Sequence, residues 1–199
     1  MAIVSSAQLR SRVAYSGEWS LRQLAGRFAE ISGSKATAVL TLTFTSVLEA
    51  QELGEPVGWA TATESSFYPP DVAQLGIDLA ALVVVRVPKA DSIARAGEKL
   101  LRSGGFDLVV LDLGLADIPT PLQSRLSGLA HHHHSAVICL TEKDSKAFSL
   151  GSLVSLRVHA ERKRAGNKEF ACSLRVLKDK RRGPTWTHEE LRHGPPGLC

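Results

Sequence analysis

The stretch from Gly26 to Glu64 limits what this chain can fold into more than any other part of it. A short apolar run over residues 27–31 meets a Gly-Ser loop. A long apolar-rich segment without Gly or Pro follows over residues 36–53 and stops at Gly54, and a second apolar run over residues 57–63 ends beside Glu64. Short apolar runs bounded by turn residues read as strands and the longer segment reads as a helix, so the order is strand, loop, helix, strand, which is one βαβ unit. Gly54 stands where helices commonly stop. The Thr-rich middle of the segment is a poor helix former, which points to burial against a sheet.

In nucleotide-binding folds the loop between such a strand and helix follows GxxxxGK[ST]: its backbone N–H groups and lysine neutralise phosphates, and its hydroxyl holds magnesium. The same eight places here are Gly33, Ser34, Lys35, Ala36, Thr37, Ala38, Val39 and Leu40. Ala38 replaces the second glycine, Val39 the lysine and Leu40 the hydroxyl residue. The loop has the length of a phosphate loop without its chemistry, and the simpler reading is an ordinary βα loop that never held phosphate.

With 199 residues, 44% of them hydrophobic, the chain can bury a real core and is most simply one domain with trimmings. No run reaches the length of a membrane span and residues 1–20 are too polar for a signal peptide, so a soluble, cytoplasmic protein without a membrane partner is expected. Cys139, Cys172 and Cys199 form no ligand or disulfide pattern, so no zinc framework follows. Net charge is only +4, and its location matters more than its total.

Residues 1–25 place Leu9, Val13, Leu21 and Leu24 at roughly helical spacing and read as a helical or mobile lead-in. A short helix is expected over residues 71–76. The apolar run 82–87 reads as a strand buried on both faces of a parallel sheet, and 90–102 as an amphipathic helix. Residues 106–112 are the most hydrophobic strand and finish on Asp112. An Asp at that end of a central parallel strand can hold magnesium beside a phosphate; without a lysine upstream, a carboxylate capping the next turn is the preferred reading. A helix over 119–130 and a strand over 136–140 follow, and His131–His134 between them read as a loop. Imidazole suits nickel or zinc, but adjacent residues rarely converge on one ion, so no metal site is expected.

From Gly151 the pattern changes. Residues 153–161 and 170–177 alternate apolar and polar, the period of half-exposed antiparallel strands. They flank a basic hairpin with Arg162, Lys163, Arg164 and Lys168, and a second basic cluster, Lys178, Lys180, Arg181 and Arg182, follows. On this reading both clusters lie on paired strands and can face one anionic surface such as DNA; a solvated, charged sheet edge explains them equally. Residues 183–199 read as an extended tail.

Taken together, residues 26–182 resemble the RecA core. GRFAEISG looks like the strand entering the RecA phosphate loop, AQELG ends the following helix, GGFDLVVLD is similar to the Walker B strand, and VSLRVHAERKRAGNKEFACSLRVLKDKRRGP resembles the antiparallel strands that close that core. The resemblance implies an α/β fold with a mainly parallel central sheet flanked by helices and C-terminal antiparallel strands. It places Glu64 at the family's water-activating glutamate and Asp112 at its magnesium-linked aspartate, here vestigial. The segments 113–123 and 141–150 are much shorter than a recombinase's two DNA-binding loops. A degenerate, truncated relative of this kind is most similar to the ImuA family of bacterial mutagenic translesion synthesis, with SulA-type cell-division inhibitors as the second resemblance.

That resemblance implies a non-catalytic adaptor in the DNA damage (SOS) response with no cofactor. It would bind components of the mutagenic polymerase complex or RecA, bind DNA weakly through the basic strands, and self-associate. The alternatives are an ATP-dependent, DNA-binding NTPase in which Lys35 replaces the lost lysine, and a SulA-like cell-division inhibitor.

Overall fold

The computed structural model describes residues 19–34, 37–64, 72, 75–166 and 169–193. The expected lead-in up to residue 18, half of the expected helix at 71–76, Lys35 and Lys168 lie outside them. Eight strands form one sheet in the order β3-β2-β4-β5-β1-β6-β7-β8. Strands β1 (Phe28–Ser32), β2 (Val57–Ala62), β3 (Leu82–Val87), β4 (Leu108–Gly114), β5 (Ala136–Thr141) and β6 (Leu156–Arg164) are mutually parallel; β7 (Glu169–Asp179) runs antiparallel to β6 and to β8 (Thr187–His193). The α/β fold with C-terminal antiparallel strands is therefore as expected.

Short apolar runs form the parallel strands because both of their faces are covered. Along β4, Leu108 and Val110 join the core layer under helices α1 (Leu21–Leu24) and α2 (Val39–Glu52), while Val109 and Leu111 join the layer under α3 (Ile93–Arg102) and α4 (Thr120–His133). Alternating side chains thus build a helix–sheet–helix sandwich. Phe44 of α2 stacks on Trp59 of β2 with ring centroids 4.8 Å apart. On the other side, a Cβ on Gly97 of α3 would fall 2.3 Å from Leu111 Cδ2, so this glycine sets how closely the helix lies on β4. The Thr-rich α2 is sustained by burial and by hydroxyls bonding back along the helix: Thr43 Oγ1 donates to Val39 O at 2.7 Å and Thr45 Oγ1 to Thr41 O at 3.1 Å.

Four expectations are corrected. Strand β3 is an edge strand, not a central one: it pairs only with β2 among the described residues, and Val83 is 47% exposed. An unbroken apolar run does not by itself say whether a second neighbour exists. Strand β6 is parallel to β1 on one side and antiparallel to β7 on the other, so its first half is buried on both faces. The histidines do not form a loop: His131, His132 and His133 complete the last turn of α4, and His134 caps it. The segment expected as an extended tail contains β8, which pairs with β7 and is tied to α2 by Arg192 Nη2 donating to Thr45 Oγ1 at 2.7 Å.

Candidate functional site

The carboxyl ends of β1, β4 and β5 and the start of α2 enclose a crevice of about 470 Å³ lined by Gly33, Ser34, Thr37, Val39, Leu40, Asp112, Gly114, Leu140, Thr141 and Glu142. Such a crevice at the C-terminal edge is where open α/β sheets take ligands. The loop closes tightly, since a Cβ on Gly33 would come within 2.6 Å of Thr37 Oγ1. Thr37 Oγ1 also accepts from Val39 N at 3.2 Å, which satisfies one free donor of the helix end. Ala38 is fully buried, and Val39 and Leu40 open the helix with apolar side chains facing the crevice lining.

Asp112 does not end its strand, which corrects the expected boundary. Strand β4 continues through Leu113 to Gly114, with an irregularity in its pairing to β5 between Asp112 and Gly114. Asp112 Oδ2 accepts from Thr61 Oγ1 of β2 at 2.8 Å. Alternation along β4 puts Asp112 on the face of Leu108 and Val110, where it lines the crevice, and past the irregularity Glu142 N donates to Gly114 O at 2.8 Å. Glu64 stands on an exposed turn just past β2, whose neighbour Thr63 is tied to Val87 O by N–H and hydroxyl at 3.0 and 3.1 Å.

Beneath the crevice lies a carboxylate that the sequence reading passed over. Glu30, in the middle of β1, is fully buried. Its Oε1 accepts from Thr141 Oγ1 at 3.1 Å and its Oε2 from Leu150 N at 3.0 Å. Lys143 Nζ at 3.8 Å and Arg157 Nε at 3.7 Å compensate its charge. Arg157 in turn donates to the carbonyls of Ala147 and Asp144. These bonds strap residues 142–150 across the sheet beside the crevice. The available signal was a lone charge inside an apolar parallel strand, FAEIS.

The sequence and the fold have counterparts among known proteins. The RecA N-terminal domain family matches residues 20–136, more than half of the chain. The chain belongs to the RecA family. Protein RecA of Chlorobaculum tepidum is 33% identical over 103 residues, covering 52% of this chain and 29% of that protein. Protein RecA of Phytoplasma mali is 26% identical over 176 residues, covering 76% of this chain and 49% of that protein. The chain thus spans about half or less of the length of these RecA proteins. The crystal structure of a KaiC-like protein from Pyrococcus horikoshii superposes with a TM-score of 0.60 at 15% identity, covering 86% of this chain and 90% of that one, a likeness of fold. No described helix is long and apolar enough to cross a membrane.

Strands β6 to β8 lie beyond the RecA match, and they do not bring the two basic clusters together. Arg164 pairs with Phe170 at the turn end of the hairpin, whereas Arg157 pairs with Lys178 at its base. At about 3.3 Å per residue Arg164 and Lys178 are roughly 20 Å apart along the hairpin. The second cluster is exposed at Lys180, Arg181 and Arg182, and each of these side chains also makes a contact within the molecule. Lys180 Nζ donates to Ser152 O at 2.6 Å, Arg181 Nη2 to Ala25 O at 3.1 Å, and Arg182 lies over the Trp186 ring at 4.9 Å. At the hairpin tip Arg162 lies over Phe170 at 5.4 Å and Lys163 pairs with Glu161 at 3.2 Å, so Phe170 serves as a half-buried platform rather than as core.

Proposed function

We propose that the chain is a RecA-fold adaptor without nucleotide turnover, binding protein partners in the DNA damage response and mutagenic translesion synthesis, as its resemblance to ImuA implies. The observation behind this reading is the crevice lining. Val39 and Leu40 stand where the lysine and hydroxyl of a phosphate loop would be, and the described lining carries two carboxylates, Asp112 and Glu142, with no basic side chain. A triphosphate placed there gains little from these walls, and the charge that develops during phosphoryl transfer is left without the pairing that catalysis needs. Calorimetry is expected to detect no micromolar binding of magnesium-ATP. Micromolar binding overturns the reading, and its loss in Lys35→Ala would assign the site to an NTPase instead.

The proposal keeps a weak contact with DNA and centres it on the hairpin tip, where Arg162, Lys163 and Arg164 are consecutive and exposed. Binding is then insensitive to sequence and steeply salt-dependent, with a slope of about −0.9 per phosphate contact on duplex DNA and about −0.7 on single strands. Replacing Arg162, Lys163 and Arg164 with Ala is expected to lower both affinity and slope in fluorescence anisotropy. An identical curve for the triple variant removes DNA contact by this hairpin from the proposal.

A further inference from the structure

The four consecutive histidines gain an organisation in the fold that their adjacency does not suggest. His134 takes φ 57° and ψ 18°, and among the described residues it is the one non-glycine with positive φ. This left-handed cap, which glycine takes without strain, folds the chain back over the last turn of α4. The His134 ring comes to 6.5 Å from the His131 ring, centroid to centroid, with a 49° tilt. His132 and His133 instead engage each other edge to face at 4.7 Å and 80°. The consecutive residues are thus sorted into a ring–ring pair and a second pair, His131 and His134, both exposed.

We infer that His131 and His134 form a surface chelate for a borderline divalent transition-metal ion, of the zinc, nickel or copper class. An imidazole nitrogen sits about 2.0–2.1 Å from zinc, so two rings sharing one ion have centroids roughly 5–6 Å apart, which small rotations of exposed side chains reach from 6.5 Å. Imidazole donors without carboxylates select such ions over magnesium or calcium. The carbonyl end of α4 adds a favourable field for a cation. No group of three or more ligating side chains converges among the described residues, so the site has two protein ligands, and water completes the coordination of an exchangeable ion. It lies before the first residue of β5, whereas the crevice lies past the last, so it is separate from Asp112.

The test is calorimetric titration of the full, untagged chain with zinc chloride and with nickel chloride. One ion per chain is expected. His131→Ala and His134→Asn, the latter tolerating the left-handed conformation, should each weaken binding at least about tenfold. His132→Ala should leave it nearly unchanged. Circular dichroism of each variant confirms that folded proteins are being compared. No binding by the unaltered chain overturns the inference, and so does an equal loss in His132→Ala, which would mean that any histidines of the run suffice.

Discussion

Replacing Asp179 with Ala is expected to destabilise the protein by about 3–5 kcal/mol, the cost of leaving a buried charge without its partner. The charge is Arg27, whose Nη2 donates to Asp179 Oδ1 at 2.7 Å with the two side chains 1% and 0% exposed. Asp179 gathers more than this one bond. Arg181 N donates to Oδ1 at 2.8 Å and the Trp186 indole to Oδ2 at 2.9 Å, while Arg27 Nη2 also donates to Ser155 O at 2.8 Å. The pair thereby joins the entry to β1, the turn before β6 and the end of β7. Urea denaturation measures the loss, and a decrease under about 1 kcal/mol would show that water relaxes into the site.

The same pair sets a pH dependence. Burial alone would raise the Asp179 carboxyl, but the hydrogen bonds from Arg27, Trp186 and the Arg181 N–H outweigh it and lower the value from 3.8 to about 2. A carboxyl depressed in the folded state stabilises fully above its unfolded value, and that contribution is lost as pH falls from about 4 to about 2. The shift corresponds to about 2 kcal/mol. Acid unfolding curves of the unaltered protein and of Asp179→Asn should therefore converge towards pH 2, with their difference largest above pH 4.

Glu30→Ala is expected to cost about 3 kcal/mol, because it leaves the Arg157 guanidinium buried opposite a cavity and takes the acceptor from Leu150 N. Its local effect distinguishes it from the first variant. Residues 142–150 are held through Glu30 and Arg157, with Gln123 Nε2 donating to Leu150 O at 2.8 Å as a further tie, so their amides should exchange faster than those of β4 or β5 in the variant. Hydrogen exchange resolved by residue reads this directly. Uniform acceleration over the whole chain would mean that Glu30 supports the sheet globally rather than the strap. Glu30→Gln, which keeps an acceptor for Leu150 N, should fall between the two.

The parts of this architecture that were legible in the sequence are those whose physics is local. Strands β1, β2, β4 and β5 announce themselves as short apolar runs, and α2 as a long uninterrupted segment stopped by Gly54. Pairing partners are not local, which is why LVVVRV read as a central strand although it lies at an edge, and why THEELRH, polar and preceded by Gly and Pro, did not read as a strand. That segment becomes one because β7 offers it a ladder and α2 a hydroxyl for Arg192. In the crevice, Asp112 could be found from its place at the end of an apolar run. Glu142 and Thr141 could not, since what brings them to the site is the pairing of β4 with β5. For the basic clusters, strand pairing could be read from the sequence but register could not, and the antiparallel register places them towards opposite ends of the hairpin.

The strand order has a consequence for how the chain is made. Among the described strands β1 is synthesised before the others, yet its neighbours in the sheet are β5 and β6, which emerge more than a hundred residues later. Until then Phe28, Ile31 and the Glu30 carboxylate have no partners, while β2, β3 and β4 can already pair among themselves. Non-local parallel pairing is slow, and surfaces that wait for it are exposed to aggregation. The slow step of folding should therefore be the insertion of β1 between β5 and β6, after β2, β3 and β4 have paired.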